Sequence, residues 1–421
     1  MMSTASMTAQ RPARRVDGPY AWFRLVISVL LGTIGGVGMW AVVVVLPTVQ
    51  AEFGIARADA SIPYTATMVG FALGNAIVGR YVDRLGITIP VIDAALSLAA
   101  GFFLAASAPT IWFFAAAQGI LIGLGASATF GPLIASISHW FERRRGIAVA
   151  AVASGNYLSG VVWPLAIQHF VAIEGWRTTY IGIGVLCLVL MIPLSLLLRG
   201  APPEPTTSVQ DSTPARSFAG AEKSSGFSPT TLQVLLTIAG IGCCVAMSMP
   251  QVHMVAYCVD LGYGPAVGAE MLTLMLASGV VSRLISGFIA DYIGGVRTLL
   301  LGSVLQCMAL VLFLPFDGLV SLYVVSLLFG LSQGGIVPSY ALIVREYLPA
   351  REAGQRVGLV VMATIIGMAL GGWMTGWIYD LTGSYQMAFI NGIAWNFLNI
   401  SIMVMILLRT RRPTMVSSAL A

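Results

Sequence analysis

The amino-acid sequence predicts an all-α polytopic membrane protein: twelve transmembrane helices in two pseudo-symmetric six-helix halves. Three observations carry this expectation. The 421 residues are 57% hydrophobic and 9% charged, with 46 glycines, at a mean hydropathy of +0.88; this composition excludes a soluble enzyme. Apolar windows long enough to cross a bilayer recur along the chain, and a polar stretch divides them into two sets of six. One eight-residue pattern also occurs twice, at matching places in the two sets.

Residues 1–23 form a basic arm holding Arg11, Arg14 and Arg15. It leads into the first span without a convincing cleavage site, so that span is expected to serve as an uncleaved insertion signal. The N-terminal half, 24–199, has windows near 24–46, 64–82, 89–107, 111–137, 146–171 and 178–198. The segment 200–229 is rich in Pro, Ser and Thr and too poor in apolar residues to build a core, so it reads as a cytoplasmic linker. The C-terminal half, 230–409, has windows near 231–257, 268–289, 298–314, 320–344, 356–378 and 386–408, and 410–421 form a tail.

The net charge of +5 is an orientation signal and not the mark of a nucleic-acid partner, because the basic residues sit in short loops and tails. With the N-terminus in the cytoplasm, 19 of the 22 basic residues fall on that side and Arg57 and Arg177 fall outside. This skew predicts a multi-pass protein of the inner or plasma membrane with both termini cytoplasmic. The five cysteines lie in or beside apolar runs without metal-type spacing and read as packing residues.

Arg283 lies inside the window of about 20 apolar residues from Glu270 to Ile289, roughly 12 Å along the helix from Asp291. A cation at that depth costs about 2.5–3.5 kcal/mol on insertion scales, and such groups face a bundle interior or a wet cavity. The competing reading is a structural arginine held by helix carbonyls or a neighbouring acid. The other helix interiors are expected to hold no lysine or arginine, so one fixed cation favours a monoanion over a dicarboxylate. Asn156, Tyr157, Gln251, Gln333 and Tyr340 are polar groups in spans where an unpaired donor is costly; each lines a cavity or bonds a neighbouring helix. Trp40 walls an apolar part of the site or simply packs.

The repeated pattern is Gly79-Arg80-Tyr81-Val82-Asp83-Arg84-Leu85-Gly86 and Gly287-Phe288-Ile289-Ala290-Asp291-Tyr292-Ile293-Gly294, each G-x-x-x-D-x-x-G. The first Gly is expected to let two helices approach, the Asp to cap the next helix or pair with a loop arginine, and the last Gly to support a tight turn. The 6+6 arrangement with these copies is similar to the major facilitator superfamily, whose halves rock about a midplane cavity. Asp17-Gly18-Pro19-Tyr20-Ala21-Trp22 resembles a signature of the monocarboxylate transporter family. So does Trp140-Phe141-Glu142-Arg143-Arg144-Arg145-Gly146-Ile147-Ala148 with Ala153-Ser154-Gly155. A third likeness runs through Pro250, His253, Tyr257, Asp260, Leu261 and Gly262 to Arg283 and Gly287.

The family resemblance implies that Arg283 binds the substrate carboxylate, a role suited to a planar fork of donors that stays charged. The chain departs from animal members of that family, which carry a helix-1 lysine and an acid one turn before the helix-8 arginine. Here those places hold Trp40, within a residue or so, and Gly279. Proton coupling is linked to those residues in the family, so it would move elsewhere. His253, which shares a helix face with Tyr257, is one candidate; Asp93 is another, unless it pairs with loop arginines such as Arg84. Arg143, Arg144 and Arg145 are expected to form a cytoplasmic clamp at the gate, with Gly79, Asp83, Arg84, Gly86, Gly287 and Asp291.

The expected function is secondary transport of a small monocarboxylate, proton-coupled, by alternating access, in a monomer. No cofactor or metal is called for beyond a proton or an exchanged anion, and the partners are a small organic anion and the lipid bilayer. Rival readings on the same scaffold are an anion exchanger and a drug or metabolite exporter. A non-transporting receptor would need a signalling domain, and no tail is long enough for one. An embedded enzyme would need a motif such as HExxH, GxSxG or a P-loop, and none is present.

Overall fold

A computed structural model of the chain describes residues 16–142, 144–200, 226–349 and 353–410. The regular structure among them is helical throughout. α1 (Pro19–Gly35) and α2 (Val37–Phe53) follow one another through Gly36 as a single 35-residue span. α3 (Arg57–Leu85) and α4 (Thr88–Ala106) come next. α5 (Ile111–Ala116), a π-helical stretch (Ala117–Gly123), α6 (Leu124–Ser127) and α7 (Gly131–Ser138) together make one crossing rod. α8 (Arg145–Leu197) completes the first half. The second half contains α9 (Pro229–Asp260), α10 (Pro265–Ile293), α11 (Gly295–Leu312), α12 (Leu319–Gln333), α13 (Ile336–Tyr347), α14 (Ala353–Thr382) and α15 (Tyr385–Thr410).

Among the described residues, ten stretches of helix are long and apolar enough to cross a membrane. α3 is outside that set; it is 29 residues long but more polar. α8 is a double element. Gly175 leaves the helical region with φ 77°. Both ends of α8 lie beside the start of α1, because Arg144 stands over the Trp22 ring and Tyr20 Oη bonds the carbonyls of Leu197 and Arg199. The chain therefore doubles back at Gly175, where glycine accepts a positive φ without strain.

Two of the sequence signatures meet physically. Asp17 N–H donates to the Trp140 carbonyl at 3.0 Å and its carboxylate accepts from Glu142 N–H at 3.4 Å. The Tyr20 ring packs on Trp140 and the Trp22 ring on Phe141, with centroids 5.3 and 5.1 Å apart. Arg24 is buried against the same patch, 4.4 Å from the Trp140 ring, and donates to the Leu198 carbonyl at 2.5 Å. The start of the first span is thereby tied to the end of the sixth window.

Small residues bring helices within backbone contact, as lipid-embedded packing requires. A Cβ on Gly70 of α3 would stand 2.0 Å from the Gly119 carbonyl oxygen of the π-helical stretch, and one on Gly123 would stand 2.5 Å from the Thr67 carbonyl. Gly70→Val is expected to cost about 1–3 kcal/mol or more by overpacking, read as a melting temperature several degrees lower in detergent. Gly287→Val, whose Cβ would meet nothing within 4 Å, should leave the melting temperature unchanged.

Each half also contains a buried polar knot. In the first, Gln118 Nε2 donates to Tyr180 Oη at 3.0 Å and Gln118 Oε1 accepts from Thr67 Oγ1 at 3.2 Å. In the second, Tyr340 Oη donates to Asn399 Oδ1 at 2.9 Å, while Asn399 and Asn396 donate to Ser303. Of the two readings for Tyr340, a cavity lining and a bond to a neighbouring helix, the structure favours the second: it is fully buried in this knot, where Asn399 satisfies its hydroxyl.

The repeated G-x-x-x-D-x-x-G pattern behaves partly as expected. Gly86 and Gly294 both take positive φ, 72° and 81°, so the turn role holds in both copies. Asp291 is exposed and does not cap α11. The carboxylate of Glu346 on α13 accepts from Gly295 N–H at 3.2 Å, a cap that sequence adjacency could not reveal. Gly287 stands in open space, so it does not bring two helices together. Arg84 is exposed; the side-chain settings of Gly79, Asp83 and Arg145 lie outside the described residues, as do Arg143 and 201–225 of the expected linker.

Candidate substrate site

The halves touch most extensively along two seams. On one, α8 meets α10 in an antiparallel register. Arg283 Nη1 donates to the Ala153 carbonyl at 3.0 Å, Gly279 faces the Tyr157 ring, and Gly160 faces Leu276. On the other, α3 meets α14: Thr65 Oγ1 donates to the Ala369 carbonyl at 3.1 Å and a Cβ on Gly376 would meet the Arg57 carbonyl oxygen at 2.7 Å.

Arg283 is half-buried on the first seam. Its guanidinium stands 4.3 Å from the Tyr157 ring centroid, and Nε donates to the Gly334 carbonyl at 3.3 Å. That carbonyl faces the arginine because the chain breaks at Gly334-Gly335 between α12 and α13, where the backbone presses onto α10: a Cβ on Gly334 would be 2.3 Å from the Gly279 carbonyl oxygen. Among the described residues no carboxylate lies within 4 Å of Arg283; the two ion pairs found there are Arg57–Asp260 and Arg177–Glu52.

Tyr157 and Gln333 stand beside Arg283 and Gly279, and Asn156, Trp40 and Gln251 join them through contacts of their own. Trp40 Nε1 donates to the Asn156 carbonyl at 3.3 Å. Gln251 Nε2 donates to Gln333 Oε1 at 2.6 Å. Several buried polar atoms of this cluster lack a partner: Asn156 Oδ1, Gln251 Oε1 and Gln333 Nε2. Unpaired groups in a buried setting are costly. A cation with neutral neighbours and unused donors and acceptors beside it has the chemistry to accept an anion with further polar atoms.

His253, Tyr257 and Asp93 do not join this cluster. His253 and Tyr257 share a face of α9, as their four-residue spacing predicts, but both rings lie against Tyr385. His253 Nε2 is 2.8 Å from the Gly372 carbonyl and 3.5 Å from Ser61 Oγ. Asp93 is exposed on α4 and accepts from Tyr81 Oη at 2.6 Å rather than pairing with Arg84.

The surroundings of His253 reveal a clasp that the sequence reading missed. Arg57, expected on the outer side beyond the apolar windows, begins α3 and is buried. It donates to both oxygens of Asp260, at 3.0 and 3.2 Å, and to Tyr385 Oη. The Asp380 carboxylate accepts from Arg57 N–H at 2.9 Å and Ala58 N–H at 2.7 Å. One residue of the first half is thus held by two acids of the second, its guanidinium by Asp260 and its backbone N–H by Asp380, at the end opposite the Asp17–Trp140 contact. The expectation that Arg283 is the one cation inside the helices is corrected accordingly: Arg24 and Arg57 are also helical and buried, but Asp260 neutralises Arg57.

The family model described as Major Facilitator Superfamily matches residues 29–354 and 234–420. The chain belongs to the major facilitator superfamily. Monocarboxylate transporter 13 of Rattus norvegicus is 28% identical over 334 residues, 79% of this chain and 75% of that protein. An uncharacterised MFS-type transporter of Bacillus subtilis, YcxA, is 25% identical over 353 residues, 81% of this chain and 83% of that one. The fold is similar to the crystal structure of a bacterial homologue of the human lysosomal transporter Spinster, at a TM-score of 0.73 and 13% identity, covering 93% of this chain and 97% of the other. This major facilitator chain is therefore a multi-pass membrane transporter, with Arg283 on one seam between its halves and the Arg57 clasp on the other.

Proposed function

We propose that the transporter moves a small monocarboxylate by alternating access, with Arg283 holding the carboxylate. One observation carries the reading: a half-buried guanidinium at the seam between the halves, met by carbonyls and an aromatic face and, among the described residues, by no carboxylate. A guanidinium in that setting binds a carboxylate through two parallel hydrogen bonds. Likeness to a protein named monocarboxylate transporter 13 agrees with it.

Counting α8 as two crossings and α3 as one is consistent with twelve in two sets of six, and the charge skew supports both termini on the cytoplasmic side of an inner or plasma membrane. Arg283 then couples binding to motion. In this state it ties α10 to the Ala153 carbonyl of the other half; a bound carboxylate would take over those donors and release that tie. Two coupling modes remain, proton symport and anion exchange. The neutral neighbours of Arg283 favour exchange, and His253, buried beside the clasp, is the group through which a proton would act.

The test is uptake of labelled monocarboxylates and dicarboxylates into proteoliposomes, with and without an inward proton gradient and with and without internal anion. Uptake of monocarboxylates over dicarboxylates is expected. Transport of a cationic or neutral compound with no uptake of any monoacid would replace this reading with the exporter.

A further inference from the structure

We infer that the transported acid carries a hydroxyl as well as its carboxylate, and that the Gln251–Gln333 amide pair recognises it. The inference rests on the reading of Arg283 as the carboxylate anchor. Gln251 on α9 and Gln333 at the end of α12 are 3% and 0% exposed, and they spend one donor and one acceptor on each other at 2.6 Å. Left over are the Gln251 oxygen, an acceptor, and the Gln333 nitrogen, a donor, both buried and unpaired. Turning both amides round changes which residue supplies which, but one acceptor and one amide nitrogen still remain.

A hydroxyl complements that remainder, because it donates one hydrogen bond and accepts another. A ketone accepts only and leaves the carboxamide oxygen stranded. An unsubstituted chain satisfies neither group. Sites with buried polar groups discriminate strongly against analogues that leave those groups unpaired, whereas an apolar pocket separates similar molecules weakly.

The pair is also at the right distance from the anchor. Gln333 precedes Gly334, whose carbonyl takes Arg283 Nε. Its Nε2 stands 3.6 Å from where a Cβ on Gly279 would be. Gly279 lies one turn before Arg283 on α10, about 6 Å along the axis. The hydroxyl is therefore placed a few bonds from the carboxylate. Gly279 lets the Tyr157 ring close over this spot beside the anchor, since a Cβ there would come within 2.6 Å of the ring.

The experiment is competition in proteoliposomes holding the full chain, with labelled 2-hydroxybutanoate against unlabelled butanoate, 2-oxobutanoate, 2-hydroxybutanoate and 3-hydroxybutanoate. At least one hydroxy acid is expected to compete about tenfold or more better than both the oxo acid and butanoate. In Gln333→Leu, and separately in Gln251→Leu, the ratio of hydroxy acid to butanoate should fall towards one; a ratio needs no correction for the amount of folded protein. Equal competition by butanoate and both hydroxy acids in the wild type overturns the inference while leaving the carboxylate anchor standing. So does a wild-type ratio that persists in both leucine variants. If neither variant folds, the wild-type ranking alone decides. No uptake or competition by any of the four acids overturns the anchor reading, and this inference with it.

Discussion

Arg283→Ala is expected to abolish carboxylate uptake, and Arg283→Lys to leave about one hundredth of it. The guanidinium offers a planar fork that takes both oxygens of a carboxylate, and an ammonium offers a point charge on a flexible stem. Losing one charge-assisted hydrogen bond costs about 1.5–3 kcal/mol, which is roughly ten- to hundredfold in binding. Arg283 also reaches two carbonyls, one in each half, so the lysine variant loses alignment as well as a bond. The measurement is proteoliposome uptake normalised to reconstituted protein. Normal uptake by Arg283→Ala would reduce this residue to a bracket between α8, α10 and the α12–α13 break.

Gly376→Val is expected to cut transport more than tenfold by holding the Arg57 end open. The Cβ would lie 2.7 Å from the Arg57 carbonyl oxygen and 2.8 Å from Ser61 Oγ. Ser61 can rotate, but a helix carbonyl cannot move without the helix. Overpacking of this kind costs about 1–3 kcal/mol, enough to reverse a population balanced within that range. The halves would separate where Asp260 and Asp380 now clasp the start of α3. A cysteine introduced at Ala58 should then react faster with a membrane-impermeant thiol reagent than in the parent. Gly358→Val is the matching control, because a Cβ at Gly358 meets nothing within 4 Å. Unchanged labelling and transport in Gly376→Val would show that this contact does not limit the cycle.

Much of the architecture was legible because lipid imposes a simple rule. Backbone groups must be satisfied within the span, so apolar length reports helices directly. The ends were less legible. The second window opened at residue 64, but α3 begins at Arg57, since a polar first turn lowers hydropathy without breaking a helix. Arg283 stood out by depth, and Tyr157, Asn156 and Gln333 by polarity within apolar spans. Polarity alone does not name the neighbour. Tyr340 meets Asn399, and His253 and Tyr257 meet Tyr385, because helix rotation decides which polar residue faces which partner. The Arg57 clasp was invisible for another reason: its members, at 57, 260 and 380, each sit at a helix end where charge is ordinary. Only the packing of three helices makes them one feature.

The contacts at the start of α1 also constrain the order in which the protein can be made. Tyr20 bonds carbonyls at Leu197 and Arg199, and Arg24 bonds Leu198. Those partners are translated some 175 residues later. During synthesis the first span must therefore wait in the insertion machinery or the bilayer until the sixth window emerges. A ribosome stalled before Leu197 would display an N-terminal half still open at that corner, exposed to quality-control proteases. The polar residues 200–229 separate the sixth apolar window from the seventh, so the first half has an interval in which to close before the next span emerges.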